Sequence, residues 1–240
     1  ENPNLVHFPH FNVPLFYNKP FVVTIHDLLW HEQVGTTATT LPAWIYWLKY
    51  LAYRLVLRHA VLKSKAIIVP SDWVKKKIVE RFPGVEKKIH VIYEGVSGVF
   101  KGPALLQQQG RALPKTKTVL FLGRFIERKR PDLAIEIFAR LHAKYTDTKL
   151  IMVGEGPLEQ ALKIQISKFK SQNAVEFPGS LFGEEKLKKY HESDLFLFPS
   201  EKEGFVLVVL EAMAAGLPLV VPDSLGFPEA VENGKNGYLA

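Results

Sequence analysis

The stretch DLFLFPSEKEGFVLVVLEAMAAGLPLVVPD, residues 194–223, contains a strand, a helix and a second strand in succession. DLFLF and PLVVP are short apolar runs bounded by proline or aspartate, which is typical of strands buried on both faces. Between them, the residues from Phe205 to Ala215 form an apolar segment of helical length. A strand–helix–strand unit of this kind predicts parallel strands in an α/β domain.

The same alternation extends through the whole second half of the chain. Strands are predicted at TVLFLG, KLIMVG, AVEF, DLFLF and PLVVP. Helices are predicted at Pro131–Tyr145, Leu158–Lys170, Glu184–His191, Phe205–Ala215 and Phe227–Glu232. Five consecutive strand–helix units predict a doubly wound parallel sheet.

The first half of the chain carries a shorter version of this pattern. Strands are predicted at LVHF, FVVTIH, AIIVP and IHVIY, with a long helix over 41–62 and a second helix that Ser71 caps. Residues 98–115 are rich in Gly, Pro and Gln without a period, which favours a linker. We therefore expect an incomplete first domain over 1–97 and a second domain over 116–240.

The amino-acid composition excludes some kinds of functional site and favours some kinds of partner. The 240 residues include 31 basic and 24 acidic side chains, a net charge of +7, and no cysteine. Disulfides, Cys-based zinc sites and a cysteine nucleophile are therefore excluded, and a reducing compartment fits. The basic excess favours anionic partners: phosphate groups, acidic membranes or nucleic acid.

Two cations follow the first strand of the second domain. Ligands of open parallel sheets bind beyond the carboxyl ends of the strands, and Arg124 and Lys129 come just after TVLFLG. An arginine fork and a lysine point charge suit phosphate oxygens. The alternative is a solvated loop in a basic protein, since Arg128 and Arg130 are neighbours, and the residues alone leave both open.

Glu211 is the only charged residue in GFVLVVLEAMAAG. A buried carboxylate without a partner would cost several kcal/mol, so we expect a polar partner, either a ligand or nearby backbone N–H groups. Glu203, Gly204 and Phe205 precede the same helix, whose N-terminus attracts anions. Glu203 can equally serve as a carboxylate that only stabilises the helix dipole.

Other candidates have an ordinary structural alternative. The GEGP turn beginning at Gly154 either contacts a phosphate or merely starts a helix, and the second is favoured. His26 and Asp27 follow a strand, where they either act on a ligand or form a capped turn. The helix over 41–62, rich in Trp, Tyr, Lys and Arg, can lie on an anionic membrane, but a half-buried core helix is favoured.

A metal site and a membrane span are not expected. His7, His10, His26 and His31 do not match a known metal-ligand spacing. The longest apolar run, Val206 to Pro222, is interrupted by Glu211, and no signal peptide opens the chain. We expect a cytoplasmic protein that can also contact the inner face of a membrane peripherally.

Together, these motifs resemble the retaining nucleotide-sugar glycosyltransferases of family 4. The two glutamates Glu203 and Glu211 enclose seven residues, as in the two-glutamate motif of that family. GRFIERK resembles its Arg-and-Lys phosphate motif. VGEGP, FPGSL, PEAVENGKNG and VIYEGV fall in the family order. VHFPHFNVPLF followed by VVTIHDL is similar to a subgroup with many mannosyltransferases.

The resemblance implies the GT-B fold, with two Rossmann-type domains, and a role for each matching residue. The diphosphate would bind Arg124 and Lys129, ribose would bind Glu211, and sugar hydroxyls would bind Glu203. The implied catalytic residues are His26, Arg124, Lys129 and Glu203. The implied donor-binding residues are Arg124, Lys129, Gly154, Gly179, Glu203, Gly204, Phe205, Val206 and Glu211.

The implied activity is metal-independent, retaining hexosyl transfer from GDP-mannose or a UDP-sugar to a glycan or lipid-linked acceptor, without a further cofactor. Val206 stands where family members often have glycine, and Glu94 where they often have asparagine. Family members are longer at both ends, so we expect a truncated chain. Two alternatives stay open: an inactive fragment that binds nucleotide sugars, and a nucleic-acid-binding module. No nucleic-acid-binding motif supports the second.

Overall fold

The computed structural model describes residues 3–28, 42–100, 117–169, 172–201 and 203–240. The chain divides into two compact units. Unit 1 comprises residues 1–94 together with Glu203–Phe205, and unit 2 comprises residues 95–202 and 206–240. Most of the predicted linker over 98–115 lies outside the described residues.

Unit 1 contains a parallel sheet of four strands, and all four were predicted. The strands, in the order β1-β2-β3-β4 across the sheet, are β1 Val6–Phe8, β2 Phe21–Thr24, β3 Ala66–Val69 and β4 Ile89–Val91. Helix α1, Ala43–Lys63, connects β2 to β3, and helix α2, Asp72–Arg81, connects β3 to β4. Parallel neighbours require such crossovers, which explains the alternating sequence pattern.

The core of unit 1 lies between the sheet and its two helices. Val23 and Ile67 from the strands, Leu57 from α1 and Ile78 from α2 are fully buried. The predicted cap of α2 is confirmed: the Ser71 hydroxyl accepts a hydrogen bond from the backbone N–H of Val74 at 3.1 Å. This bond satisfies one of the N–H groups that a helix start leaves unpaired.

Unit 2 contains a parallel sheet of six strands. The strands are β5 Lys117–Leu122, β6 Thr148–Val153, β7 Val175–Gly179, β8 Leu195–Leu197, β9 Leu219–Val221 and β10 Tyr238–Leu239. The helices are α3 Pro131–Lys144, α4 Glu159–Ser167, α5 Gly183–Glu192, α6 Leu207–Ala214 and α7 Phe227–Ala230. The parallel sheets of both units confirm the predicted α/β fold class.

The strand order of unit 2 is β10-β9-β8-β5-β6-β7. Strand β5 pairs with β6 on one side and with β8 on the other. After β5, the chain therefore adds β6 and β7 on one side of this strand and then β8, β9 and β10 on the other side. Loops beyond the carboxyl ends of β5 and β8 border this reversal point, where ligands of doubly wound sheets bind.

The structure differs from the sequence prediction at two points that bear on the site. Helix α6 begins at Leu207 rather than at Phe205, because Val206 is extended, with φ −124° and ψ 94°. Strand β10 was not predicted, since its two residues are too few to show a period. No helix among the described residues is both long enough and apolar enough to cross a bilayer.

Candidate functional site

Arg124 lies in the loop that follows the central strand β5 of unit 2. The backbone of this loop is held by hydrogen bonds to the turn after β6. The N–H of Gly123 donates to Val153 O at 3.0 Å, and the N–H of Phe125 donates to Glu155 O at 3.0 Å. The Arg124 side chain is exposed while its backbone is fixed from both sides. This arrangement presents a guanidinium to solvent at the reversal point of the sheet.

The glycines of the GEGP turn allow this close approach. A Cβ atom on Gly154, which has φ +138°, would lie 2.0 Å from the backbone oxygen of Gly123. A Cβ atom on Gly156 would lie 2.5 Å from the backbone oxygen of Phe125. Both glycines therefore have a packing role that holds the Arg124 loop. The backbone N–H of Gly154 also donates to Gly179 O, at the end of β7, at 2.9 Å.

Lys129 lies in a 3₁₀ turn, Glu127–Lys129, within the same loop. Its Nζ lies 4.9 Å from the centre of the Phe198 ring, which is fully buried directly after β8. A cation over an aromatic face is stabilised electrostatically. The loop after β5 thus holds its lysine against the strand on the other side of the reversal point.

Arg130, the residue directly before the start of α3, has a structural role instead. Its guanidinium donates to both Asp132 oxygens and pairs with Glu201. These two carboxylates, Asp132 first, raise the pKa of Arg130 above its ordinary value. Cations that are neighbours in the sequence therefore have different roles, and Arg130 is held in an ion pair with Glu201.

The loops after β5 and β8 are joined directly. The backbone carbonyl of Arg128 accepts from the hydroxyl of Ser200 at 3.0 Å and from the N–H of Glu201 at 2.9 Å. Ser200 is fully buried. The two loops that border the reversal point thus form one hydrogen-bonded rim, and this rim carries Arg124 and Lys129.

Glu211, on helix α6, has the polar partner that its sequence context requires. Its carboxylate accepts from Lys186 Nζ, at 2.7 Å to Oε1 and 2.6 Å to Oε2, and from the Tyr190 hydroxyl at 2.8 Å. The side chain is only 12% exposed. The partners are thus side chains of another helix, and not the nearby backbone N–H groups that the sequence analysis considered.

Lys186 and Tyr190 are the residues that sequence reasoning missed. They lie four positions apart on α5, so they share a face of that helix. Phe100 completes the cluster: its ring lies 5.5 Å from Lys186 Nζ and packs edge-on against Tyr190. Burial raises the pKa of Tyr190, and the nearby Glu211 charge raises it further. Tyr190 is therefore a neutral donor that holds the carboxylate.

In unit 1, His26 follows strand β2 and contacts two acceptors. Its Nε2 lies 3.0 Å from the carbonyl oxygen of Pro9, and its Nδ1 lies 2.7 Å from Glu94 Oε1. A carbonyl and a carboxylate are both hydrogen-bond acceptors, so these two contacts fix the position of the ring. Glu94, noted in the sequence as a departure from the family pattern, is thus the carboxylate that orients His26.

The segment Glu203–Phe205 also belongs to unit 1. A Cβ atom on Gly204 would lie 3.0 Å from the backbone oxygen of His26, and the carbonyl of Gly204 accepts from the Ser71 hydroxyl at 2.8 Å. Glu203 is 5% exposed. Gly204 is therefore a position of close backbone packing beside the predicted histidine.

The predicted site residues thus divide between the units. Unit 1 holds His26, Glu203, Gly204 and Phe205, while unit 2 holds Arg124, Lys129, Gly154, Gly179, Val206 and Glu211. Within unit 2, backbone hydrogen bonds join the residues on either side of Arg124 to the end of β6 and the turn after it, and join Gly154 in that turn to Gly179 at the end of β7. Gly179 has φ +80° and open space around it, so it fits close approach of a ligand as well as a turn.

Among the residues that the structure describes, no three His, Asp or Glu side chains are grouped closely enough to hold a metal ion. His7 instead bonds to the Thr24 hydroxyl at 2.8 Å. His31 lies outside the described residues.

The chain matches two family models, one for each part of its length. Residues 105–240 match the model described as glycosyl transferases group 1, and residues 1–97 match the model described as glycosyltransferase family 4. Among curated proteins, the glycogen synthase of Mycobacterium tuberculosis is 32% identical over 236 residues. That alignment covers 97% of this chain and 53% of the relative. The chain thus spans about half the length of the curated relatives it matches.

Solved structures have the same fold. HepE of Anabaena, solved in complex with UDP, has a TM-score of 0.72 at 24% identity, over 92% of this chain and 58% of that one. WaaG, a glycosyltransferase involved in lipopolysaccharide biosynthesis, has a TM-score of 0.74 at 20% identity, over 98% of this chain and 63% of that one. At these identities the likeness shows the fold.

Proposed function

Because the chain belongs to the glycosyl transferases group 1 family, we propose that it moves a sugar from a nucleotide diphosphate donor to a glycan or lipid-linked acceptor. The observation that carries this proposal is the rim of unit 2. Arg124 and Lys129 lie on a loop that is bonded to the loop after β8, at the reversal point of the sheet. Fixed cations at that point suit a diphosphate.

In this proposal, the cations act on the charge that develops during transfer. The bond between the anomeric carbon and the diphosphate oxygen breaks, so negative charge grows on the leaving group and positive charge on the sugar. Arg124 and Lys129 stabilise the leaving diphosphate. The acceptor hydroxyl forms the new bond on the same face, and its proton passes to the diphosphate, which gives retention of configuration without a metal.

The remaining site residues take the roles implied by the family resemblance. Glu211 binds the ribose hydroxyls, for which it has lone pairs beyond those used by Lys186 and Tyr190. Glu203 binds sugar hydroxyls, and the backbone at Gly204 and Phe205 holds the sugar and the phosphate. His26 is proposed to lie near the anomeric carbon.

The donor is proposed to be GDP-mannose or a UDP-sugar. The first follows from the motifs of the first domain, and the second is supported by HepE, which was solved with UDP and with UDP-glucose. We also propose that transfer takes place in the cytoplasm and that the acceptor belongs to a cell-surface glycan or glycolipid. WaaG, which is similar in fold, is involved in lipopolysaccharide biosynthesis. The domain division at 1–97, 98–115 and 116–240 is part of the proposal, and limited proteolysis within 98–115 tests it.

Calorimetric titration of the chain with UDP, GDP and ADP tests the binding site. We expect one base to be preferred, and Arg124→Met and Lys129→Met each to weaken binding about tenfold or more, the loss typical of a charge-assisted hydrogen bond. Lys163→Met is the matched control, because that lysine pairs with Glu159 on the surface of α4. Equal affinities in all three variants would contradict the proposed diphosphate site.

Turnover of the preferred nucleotide sugar tests the chemistry. We expect nucleotide diphosphate release that depends on an acceptor and persists with excess EDTA. NMR of the product should show the anomeric configuration of the donor. Inversion would rule out the proposed route, loss of activity with EDTA would rule out metal independence, and binding without turnover would support the inactive fragment.

A further inference from the structure

The carboxylate of Glu94 uses only one of its two oxygens inside unit 1. Its Oε1 lies 2.7 Å from Nδ1 of His26. Among the residues that the structure describes, Oε2 has no hydrogen-bond partner, and it does not belong to the buried polar atoms that lack one. The side chain is 24% exposed. Within the described part of the chain, Oε2 is therefore an acceptor that water or a ligand can reach.

This carboxylate lies at the carboxyl edge of the unit 1 sheet. Glu94 comes three residues after the end of β4, and His26 comes two residues after the end of β2. Pro9, whose carbonyl oxygen lies 3.0 Å from Nε2 of His26, directly follows β1. The contacts of the ring thus connect the ends of three parallel strands, at the edge where ligands of such sheets bind. A group fixed in this way is ordered before a ligand arrives.

The imidazole of His26 already has a protein oxygen beside each ring nitrogen, at 2.7 and 3.0 Å. A ligand that kept both contacts would have to form its hydrogen bond with another group. Glu203, the carboxylate predicted to bind sugar hydroxyls, is only 5% exposed. Glu94 is the more accessible of these two carboxylates, and its free oxygen belongs to the group that holds the ring.

The surroundings of Glu94 indicate the chemistry of the ligand. A carboxylate accepts hydrogen bonds and repels phosphate, so Oε2 suits a hydroxyl donor. The preceding residue, Tyr93, is 56% exposed, and its ring lies 6.2 Å from the ring of Phe205. A sugar has apolar C–H faces as well as hydroxyl groups, which suit an exposed aromatic ring and a carboxylate respectively.

We propose that Glu94 binds a sugar hydroxyl through Oε2 while its Oε1 holds His26. This inference rests on the proposed function, because sugar transfer brings sugar hydroxyls to the protein from two sources, the donor and the acceptor. It adds to that function a second carboxylate of unit 1, and it separates the binding of a ligand from the positioning of the histidine.

NMR titration of the whole chain, followed through the ring ¹⁵N signals of His26, distinguishes the two sources. GDP-mannose and UDP-glucose carry a donor sugar, and GDP and UDP lack it. Methyl α-mannoside and methyl α-glucoside offer sugar hydroxyls without a nucleotide, as an acceptor does. We expect a sugar-bearing probe to shift the His26 signals, and GDP and UDP to leave them in place. A response to the nucleotide sugars alone assigns the donor, and a response to a methyl glycoside assigns the acceptor.

Glu94→Gln separates binding from positioning. Glutamine keeps an acceptor for His26 but has an NH₂ group in place of the free oxygen, so the charge-assisted bond to the hydroxyl is lost. The dissociation constant of the responding probe should rise about fivefold, the difference between a charge-assisted and a neutral hydrogen bond. Glu94→Leu offers neither contact and should raise it at least tenfold. If the carboxylate only positioned the ring, Glu94→Gln would bind the probe as tightly as the parent.

Glu80→Gln is the matched control. It makes the same chemical change on α2, where Glu80 is 49% exposed and pairs with Lys77, and it should leave sugar binding unchanged. The inference is overturned if no sugar-bearing probe shifts the His26 signals, or if GDP and UDP shift them equally. It is also overturned if Glu94→Gln binds the responding probe as tightly as the parent does.

Calorimetric titration of the parent chain with GDP and UDP tests the diphosphate site of unit 2 separately. Nucleotide binding together with sugar binding that ignores Glu94 would overturn this inference alone. Absence of nucleotide binding would contradict the proposed diphosphate site, while the methyl glycosides would still test Glu94. The two failures are therefore distinguishable.

Discussion

Replacing Lys186 by Met should destabilise unit 2 substantially. The change removes the ammonium that contacts both oxygens of Glu211, at 2.6 and 2.7 Å, while Met keeps an apolar side chain beside Phe100. Glu211 is only 12% exposed, so its charge would remain in a site that water reaches poorly. Breaking one side of a buried ion pair costs about 3–5 kcal/mol, and the remaining Tyr190 bond favours the lower end, about 3 kcal/mol.

Replacing the other partner of the ion pair, Glu211, should lower the free energy of unfolding by less. Glu211→Gln keeps the shape of the side chain and can still accept from Tyr190. The freed Lys186 is 20% exposed and flexible, so its ammonium can move toward water. We expect a loss of about 1–2 kcal/mol. The double variant should be more stable than the sum of the two losses predicts, because neither charge is then left unpaired.

Urea unfolding of the four proteins, followed by circular dichroism, measures these differences. Lys188→Met on the same helix is the matched control: its pair with Glu192 is 3.7 Å long and Lys188 is 71% exposed, so its loss should cost about 0–1 kcal/mol. If Lys186→Met is no more costly than Lys188→Met, Glu211 is not held by this ion pair in solution. Additive losses in the double variant would refute the coupling.

Three further predictions concern other parts of the molecule. Gly154→Ala should cost about 3 kcal/mol or more in urea unfolding, because its Cβ would lie 2.0 Å from a backbone oxygen, whereas Gly84→Ala, at φ +89° in open space, should cost about 1 kcal/mol. An equal loss would contradict the packing role. Ser71→Ala should destabilise unit 1 by about 1 kcal/mol through loss of the helix cap, again measured by urea unfolding. Glu94→Leu should change the ring ¹⁵N signals of His26, while Glu94→Gln, which keeps an acceptor, should largely preserve the hydrogen-bonded pattern.

The strands could be predicted because burial on both faces leaves a continuous apolar run in the sequence. Strand β5, with Val119 to Leu122 buried, is the clearest case. Strand β10 could not be predicted in this way. It has two residues, and an Asn233 side chain that accepts from the N–H of Leu239 fixes its position. The start of α6 was also missed, since Val206 is apolar like the helix but extended in backbone conformation.

The sequence predicted that the cations following β5 lie at the ligand-binding edge of the sheet, but it did not predict which contacts each of them makes. Arg124 and Lys129 were selected because they follow a strand at the edge where ligands bind. Arg128 and Arg130 have the same charge and lie in the same segment. What distinguishes Arg130 is its contact with Asp132 and Glu201, and Glu201 follows a strand that is distant in sequence. Such pairings depend on the strand order across the sheet, which composition does not encode.

For Glu211, an energetic argument from the sequence predicts that a partner is needed, but only the three-dimensional structure identifies that partner. A lone carboxylate in an apolar helix requires a partner, and that conclusion needs only the cost of burying a charge. The identity of the partner depends on how α5 and α6 pack, because Lys186 and Tyr190 lie 25 and 21 residues away. Helix α5 offers several lysines, yet only the one that is four residues before Tyr190 reaches the carboxylate. The comparison of Lys186→Met with Lys188→Met therefore tests the packing of these helices and not merely the presence of positive charge.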